Sequence, residues 1–346
     1  MAIGRDPWAV VLAAGAGERL RALTTDRHGN TIPKQFCSFN GGASLLEQAL
    51  FRAARVVPRA RVTTIVAVQH ESWWSGELSF LPSLNVFVQP RNRGTAIGVL
   101  LPLLRILARD PDARLVFLPS DHFFEREDVL ERSLRDALAA VDRRPERVVL
   151  LGIVPDEADA DLGWILPAER GKTGIQRVRS FLEKPPGHVA AELMREGGVW
   201  NSFILAAHGR ALLELYQRRL PLVLAELRRA LAQDLGATER FAGLCDLYDL
   251  LNDADFSRDV LEGSEDLLSV LPVPPCGWSD LGTPARVARC FERHYRAPRI
   301  SSSRQPAASG ADISASLPEP IFISSNGANG SARRSRRIST HTTRPG

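Results

Sequence analysis

Lysine is nearly absent from this chain of 346 residues: Lys34, Lys172 and Lys184 stand alone among 44 basic residues, the rest being arginine. Chance can produce that skew. So can a need for a compact ammonium at a few places where a guanidinium does not serve. Long apolar runs are also missing. None approaches the ~18–20 residues of a membrane span, so no membrane partner is expected. The four cysteines, at 37, 245, 276 and 290, form no C-x-x-C pair. That spacing excludes a zinc knuckle and a dithiol redox motif. The N-terminus, Met-Ala-Ile-Gly-Arg-Asp-Pro-Trp, has no secretory signal pattern. Reduced thiols and a cytoplasmic location are therefore the expectation.

Charge of one sign is scarce outside the C-terminal end. The net charge is +4, yet residues 299–346 carry seven arginines against Asp312 and Glu319, which leaves −1 for residues 1–298. The basic character belongs to a tail rich in Ser, Ala, Gly, Pro, Asn and Arg, with few large apolar residues. Residues 298–346 are expected to be a disordered basic tail. Its Arg333-Arg334-Ser335-Arg336-Arg337 run is the one feature that could bind nucleic acid, and short runs of this kind are usually solvated.

What is present is a globular composition, 44% hydrophobic and 24% charged. A short apolar run over 8–14 reads as a buried strand entering a glycine turn. Helical spacing covers 44–57, with Ser44 and Glu47 set as a capping box. Strands are expected at 62–68, 85–89, 114–118 and 148–154, with helices at 95–109 and 125–141. This alternation predicts an α/β fold: a Rossmann-like, mostly parallel sheet flanked by helices. Later segments, 163–167, 175–183, 199–206 and 266–273, read as mixed C-terminal strands. Helices are expected over 208–232, 239–251 and 283–295. Residues 1–297 would form one catalytic domain. Ligands in such sheets bind at the carboxyl ends of the strands, where the glycine turn and Asp121 both fall.

In the turn Leu12-Ala13-Ala14-Gly15-Ala16-Gly17-Glu18-Arg19, two glycines let backbone N–H groups approach phosphate oxygens, and Arg19 adds charge beside them. A dinucleotide fingerprint would need glycine at position 20, which is Leu, and a Walker loop needs Gly-Lys-Ser/Thr, which is absent. Lys34, in Pro33-Lys34-Gln35-Phe36, ends a polar stretch that can deliver an ammonium to bound phosphate. A plain strand–helix turn and a surface lysine are the alternatives to these readings.

G-x-G-x-R-L followed by P-K-Q-F resembles the sugar-nucleotide pyrophosphorylases, and among them the mannose-1-phosphate guanylyltransferases. Further segments follow in the family's order: Gln89-Pro-Arg-Asn-Arg-Gly94-Thr95-Ala96, Pro119-Ser120-Asp121-His122, Phe181-Leu-Glu183-Lys184-Pro185, Trp200-Asn201-Ser202 and Gly277-Trp-Ser-Asp280-Leu-Gly282. The resemblance covers roughly residues 8–290. It departs from the family in a longer interval between Arg19 and Lys34, in Ala14 where Gly is frequent, in Ala22 where Pro is usual, and in Phe203 where Gly commonly follows W-N-S.

The resemblance implies nucleotidyl transfer from a nucleoside triphosphate to a sugar-1-phosphate with release of pyrophosphate, GTP and mannose-1-phosphate giving GDP-mannose. Other implied pairs are glucose-1-phosphate with dTTP or UTP. A catalytically silent nucleotide-binding relative is a further alternative. The resemblance assigns catalysis to Arg19, Lys34 and Asp121, with Asp121 and Asp280 holding Mg²⁺. Leu12, Ala13, Ala14, Gly15, Gly17, Gln89, Gly94 and Thr95 would bind the nucleotide. Gly163, Glu183, Lys184 and Asn201 would bind the sugar phosphate. His122 reads as structural or as a further metal ligand, and Arg91 and Arg93 as phosphate helpers or solvated arginines. Trp73-Trp74 is assigned to packing or to the contact of a homodimer.

Overall fold

The computed structural model describes residues 6–25, 29–39, 42–169, 174–236 and 242–295. The expected tail and residues 26–28 of the long loop before Lys34 lie outside them. Nine strands form one sheet in the order β3-β2-β1-β4-β8-β5-β9-β7-β6. Its first half is β1 (Trp8–Leu12), β2 (Val62–Ala67), β3 (Val86–Gln89) and β4 (Arg114–Pro119), paired in parallel. Buried on both faces, these strands read as nearly continuous apolar runs.

The second half departs from a parallel plan. β8 (Val199–His208) lies between β4 and β5 (Val148–Ile153) and runs antiparallel to both. β9 (Leu268–Val273) returns parallel to β5, and β7 (Gln176–Leu182) and β6 (Trp164–Pro167) extend the edge in antiparallel pairing. The alternation of strands and helices ends at β5, and the chain inserts a strand from roughly 50 residues downstream beside β4. Local periodicity carries no information about such a partner.

Alternate residues of the central strands feed two cores. Leu115 and Phe117 of β4 join one face, and Val116 and Leu118 the other. The first face is covered by α4 (Gly94–Arg109), α7 (Gly209–Arg219), α8 (Pro221–Gly236) and α9 (Ala242–Leu250), following α1 (Arg21–Thr24), α2 (Leu45–Ala54) and α3 (Glu71–Glu77) in the chain. The second face is covered by α2, α5 (Glu127–Arg143) and α6 (Gly187–Arg195). The last helix, α10 (Pro284–Tyr295), follows the G-W-S-D segment.

The expected capping box is present: Ser44 Oγ accepts from Glu47 N at 3.0 Å, and Glu47 Oε2 accepts from Ser44 N at 3.0 Å. The single helix expected over 208–232 is two, α7 and α8. They break at Leu220 because the residue before Pro221 is pushed out of helical geometry. Helix α6 and a π-helical turn, Phe256–Leu261, were not foreseen.

Candidate active site

β1 ends at Leu12 between β2 and β4, and Ala13 N donates to Ile65 O at 2.9 Å. The glycine turn then passes over the sheet edge. It is pinned from beneath by Gln35, only 2% exposed, whose Nε2 donates to Ala13 O at 3.0 Å and to Gly15 O at 2.9 Å. Gly17 abuts Lys34: a Cβ there would lie 3.0 Å from Lys34 Cβ. The long loop closes at its base through a Thr25↔Thr31 bridge and a 2.8 Å hydrogen bond from Ile32 N to Thr24 O. Lys34 sits just past this closure, under the turn.

Lys34 is 4% exposed. Its Nζ donates to Asp121 Oδ2 at 2.9 Å and also to the carbonyl oxygen of Asp280. This lysine ties the end of β4 to the segment after β9. Desolvation is the largest single influence on Asp121 and works to raise its pKa, but the Lys34 ammonium, through charge and hydrogen bond, together with His122 and the backbone, holds the carboxyl below its ordinary range.

The two motif segments are also stapled directly. Phe123 N donates to Ser279 O at 2.9 Å and Ser279 N to Phe123 O at 3.0 Å. Trp278 Nε1 donates to His122 Nδ1 at 3.2 Å. Burial pushes the pKa of His122 down to about 4, so the ring is neutral at pH 7. Its Nδ1 is an acceptor, which puts the ring proton on Nε2. That arrangement fits the structural reading of His122, which braces the Trp278 indole.

A pocket of about 360 Å³ opens above the turn. Of the expected nucleotide residues, Leu12, Ala14, Gly15, Gly17, Gln89, Gly94 and Thr95 line it, together with Asp121. Ala13 is buried and contributes its backbone to the Gln35 tie. Gln89 is 1% exposed, and its Oε1 has no hydrogen-bond partner. A buried acceptor left unpaired is costly, and a ligand donor in the pocket would relieve it.

Gly94 and Thr95 do more for the scaffold than expected. At Gly94, with φ +82°, an added Cβ would fall 2.2 Å from Ala254 O. Only glycine admits this approach. Thr95 Oγ1 donates to Asp255 Oδ2 at 3.2 Å and accepts from Phe256 N at 2.7 Å. Arg93 Nε donates to Tyr248 O at 2.6 Å, and Arg91 pairs with Asp249 at 2.7 Å. These arginines strap Tyr248 and Asp249 to the segment before α4, and the Arg91 side chain stays exposed. Arg19 is exposed on the 3₁₀ turn Glu18–Leu20 and is not part of the pocket wall.

A second cluster unites three of the four expected sugar residues around Gly163. A Cβ on Gly163 would lie 2.6 Å from Glu183 Oε2 and 3.2 Å from Asn201 Cβ. Asn201 N donates to Gly163 O at 2.7 Å, and Asn201 Nδ2 to Ser257 Oγ at 3.3 Å. Burial raises the pKa of Glu183, while Lys184 works to lower it. Lys184 completes the set at the rim: its Nζ is 3.3 Å from Glu183 Oε1, and its φ is +51°. A left-handed conformation at a non-glycine residue costs of order 1–2 kcal/mol. It marks a place where the surroundings dictate the backbone. Trp164 is fully buried, and its Nε1 donates to Asp159 O at 2.8 Å, so it packs and does not line the site.

Asp280 is the residue whose placement departs most from expectation. Its carboxylate does not line the nucleotide pocket. Oδ1 accepts from Gly282 N at 3.0 Å and Oδ2 from Arg286 Nη1 at 2.8 Å. Arg286 also binds Asp159, so one buried guanidinium joins two carboxylates. Sequence reasoning missed Gln35, Asp255, Ser257 and Arg286. Gln35 adjoins a quoted lysine and was within reach, whereas the other three act through contacts across the fold. The Trp73-Trp74 pair packs half-buried on α3, with Trp74 Nε1 donating to Ala67 O at 2.9 Å.

Comparison with known proteins bears on the family and the fold. The family model described as Nucleotidyl transferase matches residues 8–293. The alginate biosynthesis protein AlgA of Pseudomonas syringae pv. tomato is 28% identical over 285 residues, 79% of this chain and 56% of that protein. A putative mannose-1-phosphate guanylyltransferase of Vibrio cholerae is 24% identical, over 79% of this chain and 58% of its own length. The chain thus spans little more than half the length of these relatives. A crystal structure from Thermus thermophilus, described as a mannose-1-phosphate geranyltransferase, superposes with a TM-score of 0.71 at 29% identity, covering 83% of this chain and 79% of that one.

Proposed function

Because the chain belongs to the Nucleotidyl transferase family, we propose that it transfers a nucleotidyl group from a nucleoside triphosphate to a sugar-1-phosphate, with GTP and mannose-1-phosphate as the substrates. A sugar-phosphate oxygen attacks the α-phosphorus, the bond from that phosphorus to the α–β bridging oxygen breaks, and pyrophosphate leaves. Lys34 carries this reading. It is a buried ammonium fixed to Asp121 beneath the phosphate turn, beside a pocket whose Gln89 acceptor lacks a donor. Two anionic substrates meeting there need positive charge held in place, because such transfers depend on alignment and charge neutralisation.

The backbone of residues 14–17, braced by Gln35, receives the triphosphate. Arg19, exposed at the rim, closes onto the β- and γ-phosphates. Gln89 reads the base edge through its amide. Guanine offers two donors on that edge, which suits the unpaired Oε1. Asn201, Glu183 and the Gly163 backbone receive the hexose hydroxyls, and Lys184 receives its phosphate. The relatives named for mannose-1-phosphate chemistry support the sugar.

Mg²⁺ takes a small number of carboxylates together with phosphate and water oxygens. Asp121 fits, since it lines the pocket and its hydrogen bond to Lys34 occupies Oδ2, not Oδ1. Asp280, joined to it through Lys34, is the second carboxylate of the proposal, and Arg286 competes for it. When bound, the ion neutralises charge on the triphosphate. A homodimer and a cytoplasmic location remain part of the proposal; no described helix is long and apolar enough to cross a membrane.

The test is pyrophosphate release with Mg²⁺, crossing mannose-1-phosphate and glucose-1-phosphate with GTP, dTTP, UTP, CTP and ATP. Turnover confined to mannose-1-phosphate with GTP supports the full proposal. Turnover with another pair keeps the reaction and moves the specificity. The Arg286 contact on Asp280 favours one second reading, a nucleotide-binding chain without turnover. GTP binding with no pyrophosphate from any pair would select it.

A further inference from the structure

Phe203 sits within β8 at φ +57°, a conformation that crowds any side chain bearing a Cβ. The pairing of β8 with β5 slips there. Leu150 faces Leu205 and Gly152 faces Asn201, so residues 202–204 bulge opposite Leu151. Bulges re-aim side chains beside sites, and this one has two effects. The Phe203 N–H turns back and donates to Asn201 Oδ1 at 3.1 Å. With Asn201 Nδ2 on Ser257 Oγ, the amide is locked in one orientation.

The second effect falls on the ring. Phe203 stands edge-on to Phe256, with centroids 5.9 Å apart, and forms part of the nucleotide pocket wall beside Leu12, Thr95 and Asp121. Phe256 directly precedes Ser257, the partner of Asn201. The ring thus lines the pocket while its own backbone holds Asn201 and its aromatic partner adjoins Ser257.

The Asn201 tie needs only the backbone of residue 203, and glycine would supply it without strain. The strain is accepted for the sake of the ring. We propose that the Phe203 ring is the wall that sets which hexose-1-phosphate the sugar-side cluster accepts. It presents an apolar face to the C–H side of a pyranose and excludes a bulky substituent, such as an acetamido group, in place of a ring hydroxyl. This inference rests on the sugar-1-phosphate reading given above.

The experiment uses Phe203→Gly and Phe203→Leu in the full chain. It compares kcat/KM for mannose-1-phosphate with that for a 2-acetamido-2-deoxyhexose-1-phosphate, using the same nucleotide, and measures nucleotide and sugar-phosphate binding by calorimetry. The glycine variant is expected to shift the ratio toward the acetamido sugar by about tenfold or more, a discrimination typical of removing a steric wall. Leucine should fall between, and the sugar-phosphate ratio should move further than nucleotide affinity does in either variant. Ratios unchanged in both variants, whatever their melting temperatures, overturn the proposal and leave the ring a packing residue. A loss confined to nucleotide affinity also overturns it, making the ring a nucleotide wall. If the native chain releases no pyrophosphate with any pair, the function reading fails separately. The relative binding of the two sugar phosphates then decides, and a native chain that binds neither overturns the wall as well.

Discussion

On the proposed nucleotide side, the candidate groups come from strand ends of the parallel half, with Leu12 closing β1, Gln89 closing β3 and Asp121 just beyond β4. Their backbone is braced by buried donors with ordinary geometry, such as Gln35 and Lys34. On the proposed sugar side, Gly163, Glu183 and Asn201 come from three antiparallel strand regions and meet at a bulge. Left-handed backbone at Lys184, Phe203 and Leu281 clusters in that half. The difference is one of origin. A parallel sheet places ligand groups at one edge by topology alone. The mixed half must bend its chain to bring them there, and it accepts strain to do so. Electrostatics divide the same way: Lys34 holds Asp121 low, whereas burial holds Glu183 high.

The comparison breaks most visibly at the link between the halves. Arg286→Ala leaves Asp280 and Asp159 without their shared cation, and removing one partner of such a group costs about 3–5 kcal/mol. Thermal unfolding should show that loss, and a melting temperature near that of the native chain would mean the two carboxylates are solvated. Next in size, Lys34→Ala should lower kcat by roughly 10²–10³, as expected when a preorganised charge is removed from a transition state, with some loss of stability as well because Asp121 loses its ion-pair partner. Steady-state kinetics beside a melting curve separate the two effects.

Gln35→Leu removes two hydrogen bonds from the phosphate turn. At about 1 kcal/mol each, KM for the nucleotide should rise by up to roughly thirtyfold. Sugar-phosphate KM should move less, and an equal change in both would deny the separation of the halves.

The smallest effects sharpen the electrostatic contrast. Asp121 has a lowered pKa in the fold, so its ionised form contributes stability above the unfolded carboxyl range, lost as pH falls. Glu183 is raised, so the native state binds a proton that the unfolded chain has already released. Its contribution is full below about pH 4.5 and declines as pH rises through the folded pKa. Asp121→Asn should therefore cost stability at pH 7 and little at pH 3. Glu183→Gln should be neutral at pH 4 and stabilising at pH 7. Denaturant titrations at these pH values test both signs.

Much of the nucleotide side was legible because its signals are local. An apolar run met a glycine turn, Ser44 and Glu47 matched a cap, and Lys34 stood out by scarcity. Motif order then placed Gln89, Asp121, Glu183 and Asn201. The rest depends on tertiary contacts that no window of sequence holds. The insertion of β8 beside β4, the Ala254 carbonyl against Gly94 and the Ser257 hydroxyl on Asn201 all join residues far apart in the chain. Asp280 shows the limit well. The resemblance assigns its carboxylate to a metal shared with Asp121, while in the fold its carbonyl meets Lys34 and its carboxylate meets Arg286.

The central claim is that these two unlike halves act on one reaction across Lys34. Pyrophosphate release from GTP, measured with and without mannose-1-phosphate in the native chain and in Lys34→Ala, tests it most directly. The account predicts release that depends on the sugar phosphate, matches GDP-mannose formed one for one, and falls by roughly 10²–10³ in the variant. Release that ignores the sugar phosphate, or survives the loss of Lys34 undiminished, would contradict it.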